Sequence, residues 1–169
     1  MKYLFLLLLA FNSEDVPSGS LIFVKDSNFI VEQFTQSDIT HVAIVAKENN
    51  EIYVFEADKP KVTKTPLSEY LKNTKEKLYV SFPNKKFDNE KLVGYLNSQL
   101  NKKYSIENYG KNKSNDKTVF CSQLVVNCYN HCDIKVFSYP AQYYAPGDVW
   151  DAIIDKNVSS VHVLKEKTK

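Results

Sequence analysis

Cys121 stands in the run Val119-Phe120-Cys121-Ser122-Gln123-Leu124-Val125-Val126, where a helix-periodic apolar pattern begins. A thiol in the first turn of a helix meets unpaired backbone N–H groups and the positive end of the helix dipole. Both favour thiolate over thiol and so lower the pKa. A thiolate nucleophile also needs a base to share its proton, and the base needs a third group that fixes its tautomer and ring angle. Upstream, Thr40-His41-Val42-Ala43-Ile44-Val45 carries an imidazole and Tyr53-Val54-Phe55-Glu56-Ala57 carries a carboxylate. Base, orienting acid and nucleophile thus occur in the chain order His41, Glu56, Cys121. Their chemistry would be acyl transfer through a thioester. A structural alternative stands beside it, because Cys121, Leu124, Val125 and Cys128 have the i, i+3, i+4, i+7 spacing of an ordinary core stripe, and buried cysteine is common.

The elements that must position these groups are two strands and a helix. Ile39 to Ala46 and Glu51 to Ala57 are β-branched and aromatic runs separated by Lys47-Glu48-Asn49-Asn50. This predicts an antiparallel hairpin, since Asn tolerates left-handed backbone angles. The side-chain period of two puts His41, Ala43 and Val45 on the same face as Val54 and Glu56. A turn at Glu48-Asn49 would set His41 directly opposite Glu56; a turn at Asn49-Asn50 would make them diagonal neighbours, still within reach. Thr118 is the expected N-cap of the Cys121 helix.

Around these, Ser18-Gly19-Ser20 reads as a turn feeding a buried strand at Leu21 to Val24, followed by a polar loop through about Asp38. Val62 to Lys64 adds a short strand, and Pro66 to Leu71 opens a helix with proline in its first turn. Lys77 to Phe82 is a further strand, and Asn89 to Leu100 an amphipathic helix. Asn101 to Lys117 reads as a polar loop carrying Tyr104 and Tyr109. An aromatic loop from Phe137 to Tyr144, a helix start at Pro146-Gly147-Asp148 and a strand at Val161 to Leu164 complete the pattern. The class is α+β, with helices packed on a mainly antiparallel sheet.

A chain of 169 residues, 43% hydrophobic, suffices for one domain with a sizeable core. All 22 basic residues are lysine, so the guanidinium forks that favour phosphate and base-edge recognition are absent and no nucleic-acid partner is expected. Lys111, Lys113 and Lys117 read as solvated loop. The start, Met1-Lys2-Tyr3 followed by Leu4 to Phe11, is too short an apolar run to span a bilayer. Residues 1–15 are read as a signal peptide, cleaved between Ala10 and about Asp15, and 16–169 as a single exported domain. Three cysteines in an exported chain leave at least one thiol free or paired between molecules. Cys121 is the candidate free thiol. Cys128 and Cys132 could be bridged only if their helix ends near Asn130. Cys128, His131 and Cys132 are too few ligands for a zinc site and read as a helix-end cluster, so no metal or other cofactor is expected. His131 and His162 are read as structural or exposed.

The segments Leu21-Ile22-Phe23, Thr40 to Val45, Val54-Phe55-Glu56-Ala57 and Phe120-Cys121-Ser122-Gln123-Leu124-Val125 together resemble the permuted papain-like amidases. That is the YaeF/YiiX-type branch of the NlpC superfamily, related to the lecithin:retinol acyltransferase group. The likeness runs from about Gly19 to Ile153 and includes Thr65-Pro66-Leu67 and Pro146-Gly147-Asp148. It implies a circularly permuted papain-like fold, with Cys121 as nucleophile, His41 as general base and then acid, and Glu56 orienting the imidazole. It further implies Tyr104 as a residue lining the substrate pocket. Two departures bear on substrate fit: Gln123 stands where the family motif commonly has an acid, and Val42 and Ala43 follow the histidine where glycine is common.

The resulting expectation is an exported cysteine hydrolase acting on peptide or cell-wall amide bonds. A lipid acyl hydrolase or acyltransferase with the same triad is the alternative if Phe137, Tyr139, Tyr143 and Tyr144 line an acyl groove. A binding module that keeps the fold without turnover is the other. The expected partner is a peptide or an acylated small molecule, with no stable membrane span once the leader is removed and an undetermined oligomeric state.

Overall fold

Alternation along β2 (Ile39–Glu48) sends Val42, Ile44 and Ala46 into one apolar cluster and Ala43 and Val45 into another, so this strand is covered on both faces. Its neighbours divide in the same way. In β1 (Leu21–Lys25), Leu21 and Phe23 face the first cluster while Ile22 and Val24 face the second. In β3 (Glu51–Asp58), Phe55 and Ala57 oppose Ile52 and Val54. In this computed structural model the described residues are 16–25, 37–111, 116–155 and 159–167. The expected leader, and the polar loop from 26 to 36, lie outside them.

Among the described residues, one mixed sheet of eight strands runs β7-β6-β4-β3-β2-β1-β5-β8. The remaining strands are β4 (Lys61–Pro66), β5 (Lys77–Pro83), β6 (Lys103–Tyr104), β7 (Thr118–Val119) and β8 (Ser159–Lys165). All neighbours pair antiparallel except β6 and β7. The first face carries three helices: α2 (Asn89–Gln99), α3 (Cys121–His131) and α4 (Pro146–Asp155). The second face carries α1 (Leu67–Asn73), held by Leu67 and Tyr70. This is the expected α+β architecture, and the strand carrying His41 precedes the helix carrying Cys121 in the permuted papain-like order.

The β2–β3 hairpin closes through Asn49 and Asn50, both left-handed at φ 51° and 65°. That turn pairs Glu48 with Glu51 and Ile44 with Phe55. Of the two registers open from sequence, the diagonal one is therefore adopted. Gly19 also has positive φ, +88°, and a Cβ there would lie 2.2 Å from the Phe87 ring. Its carbonyl accepts a hydrogen bond from the buried Tyr129 hydroxyl at 2.9 Å, which ties α3 to the turn before β1.

Two sequence expectations need correction. Thr118 is not the N-cap of α3; Phe120 holds that position with no side-chain cap, while Thr118 belongs to β7 and accepts a hydrogen bond from Asn108. The residues after Asn101 are not all loop, because β6 and a 3-10 turn at Ile106–Asn108 lie among them.

Candidate active site

The β2–β3 ladder ends at Ile44↔Phe55, although β3 stays paired with β4 to Asp58↔Lys61 and β2 with β1 to Ile39↔Lys25. The sheet is therefore split between β2 and β3 just where His41 and Glu56 are carried. Both side chains lie on the face of the second cluster: His41 is the cross-strand partner of Val24, and Glu56 alternates with Val54. Cys121 approaches from the opposite face, at the first residue of α3. The split lets groups from the two faces meet.

His41 Nε2 is 2.9 Å from Glu56 Oε2, with both side chains less than one-fifth exposed. The Cys121 thiol is within hydrogen-bonding reach of the same ring. With Nε2 engaged by the carboxylate, Nδ1 is the nitrogen left to face sulfur. Burial alone would hold His41 neutral. The Cys121 sulfur and then Glu56 outweigh it, and the imidazole pKa is raised to about 10. Cys121 moves in the complementary direction: burial opposes its ionisation, but His41 and the backbone N–H groups of Val42 and Ser122 bring its pKa below the ordinary value.

Each backbone donor has a local cause. Val45 exchanges hydrogen bonds with Gly19 and Ser20, on the β1 side. By alternation Val42 then points its N–H toward β3, where the ladder has already ended, so sulfur takes the place of a strand partner. At Ser122, the helix start lacks a side-chain cap, and an N–H that Ser, Thr or Asp would otherwise accept turns to the sulfur. Helix α3 is fixed there by Ser122 Oγ donating to the Tyr144 carbonyl at 2.6 Å. Nothing in the sequence signalled Val42 or Ser122 as a donor, because both act through the backbone.

Cys121 is only 6% exposed, yet with His41 and Glu56 it lines a cleft of about 1000 Å³. Tyr104 lines the same cleft. Burial, the sulfur and Asp58 push its hydroxyl up to about 12. Tyr70 and Asp58 also contribute to the wall and were not anticipated. The aromatic loop does not: Phe137 and Tyr144 are buried in the core, and Tyr139 and Tyr143 are exposed elsewhere.

The other candidate groups stand apart. All three cysteines are free. Cys128 and Cys132 hydrogen-bond to each other, and His131 stacks on Tyr95 with ring centroids 4.7 Å apart. Among the described residues no three or more His, Cys, Asp or Glu side chains are grouped to hold a metal ion. His162, on β8, lies beside Phe82.

A strand imidazole and carboxylate meeting the cysteine of a later helix, on this sheet, define the permuted papain-like class. The chain belongs to the permuted papain-like amidase family YaeF/YiiX, C92, whose family model matches residues 15–145. A solved structure described as the metalloprotein YiiX from Escherichia coli O157:H7 is similar in fold. Its TM-score is 0.69 at 21% sequence identity, covering 89% of this chain and 98% of that one. No curated protein matches the chain. Among the described residues, no helix is long and apolar enough to cross a membrane.

Proposed function

We propose that this chain is an exported cysteine hydrolase that cleaves amide bonds in peptides or cell-wall peptides. Cys121 acts as nucleophile, His41 as general base and then acid, and Glu56 as the group that orients the ring. The observation carrying this reading is that one imidazole is shared between the Glu56 carboxylate, at 2.9 Å, and the Cys121 sulfur.

The thiolate attacks the amide carbonyl, and the resulting oxyanion takes a hydrogen bond from the Cys121 backbone N–H in the uncapped first turn. Such a donor contributes about 3 kcal/mol when well aligned. The His41 imidazolium then gives its proton to the departing amine as the C–N bond breaks, leaving a thioester. A water molecule, losing its proton to His41, adds to that thioester and releases the acid and the Cys121 thiol. Tyr104 would contact the bound substrate from the cleft wall. Export rests on the leader-like run from Met1 to Phe11.

The test is a parallel screen of cell-wall peptides and short-chain lipid esters with wild type and Cys121→Ala. Amide cleavage lost in the variant supports the proposal. Cleavage of esters alone, equal cleavage by the variant, or no cleavage of either class overturns it.

A further inference from the structure

The cleft around Cys121 has a one-sided charge. Besides Glu56, which is bound to His41, its walls carry Asp58, Glu69, Glu76 and Glu107; among the described lining residues the cations are Lys59 and the His41 imidazolium, the latter matched by the Cys121 sulfur. Among the described residues none of these four carboxylates is in an ion pair, while lysines elsewhere pair with Glu48, Asp133 and Glu166. Composition does not produce this excess: the chain has 22 basic and 20 acidic residues, a net charge of +2. Nor does one acidic run, because the four come from the end of β3, from α1, from the segment after α1 and from the 3-10 turn after β6.

Asp58, Glu69 and Glu107 are exposed and Glu76 is half-buried, but carboxylates ringing a concave cleft still focus their potential into the space it encloses. The same wall holds neutral groups, including Asn73, Thr74 and Ser105, that can accept hydrogen bonds from an ammonium. The cleft opens on the thiol itself, so whatever places a carbonyl at Cys121 must lie along these carboxylates. We propose that the substrate is a cationic amide: a peptide or amine conjugate carrying a protonated amino group close to the bond cut. Acidic peptides and anionic lipids are disfavoured. This rests on Cys121 being the nucleophile and narrows the substrate class of that reading.

Charge selection at the sulfur can be measured without knowing the natural substrate. Three methanethiosulfonates differing in their transferred group, ethyltrimethylammonium, methyl and ethylsulfonate, each react by thiolate attack on sulfur. The product is a mixed disulfide, with methanesulfinate leaving. Rates at Cys121 are followed by peptide mass spectrometry, which separates it from Cys128 and Cys132, and are normalised to those of a small free thiol. The cation-to-anion ratio should exceed that of the free thiol by at least about fivefold at low ionic strength and shrink in about 0.5 M salt. Glu69→Gln/Glu107→Gln should return the ratio toward the free-thiol value, whereas Glu90→Gln, an exposed carboxylate outside the cleft, should leave it unchanged.

A wild-type ratio at or below that of the free thiol, or one unmoved by the double variant, overturns the proposal while leaving the nucleophile intact. Failure of all three reagents at Cys121 in folded protein, with reaction restored in urea, removes the nucleophile reading and this inference with it. A companion arm offers matched peptides with lysine or glutamate flanking each amide. Turnover of the glutamate set at an equal or higher rate also overturns the proposal.

Discussion

The Glu56 carboxylate holds the His41 ring by its Nε2 across the gap where β2 and β3 part, at 2.9 Å. Because no backbone ladder closes that gap, this side-chain bond sets the ring's angle and keeps Nδ1 toward Cys121. Glu56→Gln keeps the size and a hydrogen-bonding atom but removes the charge that favours imidazolium. The expected result is a loss of about 100-fold in kcat with little change in KM. The pH midpoint of Cys121 alkylation should also rise, because a less basic imidazole supports the thiolate less. A role confined to packing would leave that midpoint where it is.

Tyr104 enters the cleft from β6, a two-residue strand that pairs with β4 on one side and β7 on the other. Phenylalanine keeps the ring in the wall and deletes only the hydroxyl. If that hydroxyl contacts bound substrate, Tyr104→Phe should raise KM about threefold to tenfold while kcat stays within about twofold, the effect of one neutral hydrogen bond. Steady-state kinetics on any cleaved amide separates this from a fall in kcat alone, which would place the hydroxyl in the chemical step.

The turn at Gly19 holds α3 in place from a distance. A methyl group there would meet Phe87 at 2.2 Å on a backbone with φ +88°, so Gly19→Ala should cost about 1–3 kcal/mol. Tyr129→Phe removes the hydrogen bond to the Gly19 carbonyl and should cost about 1–2 kcal/mol. Both act on the same turn, so their combined effect in urea unfolding should be less than the sum. Strict additivity would show that the two contacts are independent.

How far the sequence could lead is visible in the hairpin. The β-branched runs and the Asn pair gave two strands and one shared face for His41 and Glu56, since those depend on local preference and the period of two. They left two registers open, because both Asn49 and Asn50 tolerate positive φ and only the whole sheet selects between them. The helix carrying Cys121 was legible from its apolar spacing. Its start was not: Thr118 has the right side chain for a cap, but pairing of β7 with β6 draws it into the sheet. The split between β2 and β3, the donors at Val42 and Ser122, and the acidic wall all arise from segments far apart in the chain. No local pattern encodes such meetings.

The opposed shifts of Cys121 and His41 predict that the pair's contribution to stability is lost on the alkaline side. A group with a raised folded pKa adds stability that is complete below its unfolded value and is lost as pH rises through the folded one. A group with a lowered folded pKa adds stability present above its unfolded value and lost as pH falls through the folded one. His41 is raised from 6.5 to about 10, and Cys121 is lowered from 9.0. Below 9.0, and above both 6.5 and the lowered Cys121 value, the unfolded pair carries its single proton on sulfur and the folded pair carries it on the ring, so the proton count matches and the contribution is level. Above 9.0 the unfolded pair loses its last proton first, and stability falls as pH rises toward the folded imidazole value of about 10. Cys121→Ala removes the largest charge raising His41 and should weaken this alkaline loss. Urea unfolding of both proteins from neutrality to about pH 10 measures it: the stability difference should shrink as pH rises through 9.0 toward the folded imidazole value. A difference that stays constant or grows over that interval would show that sulfur and imidazole are not paired in the folded chain.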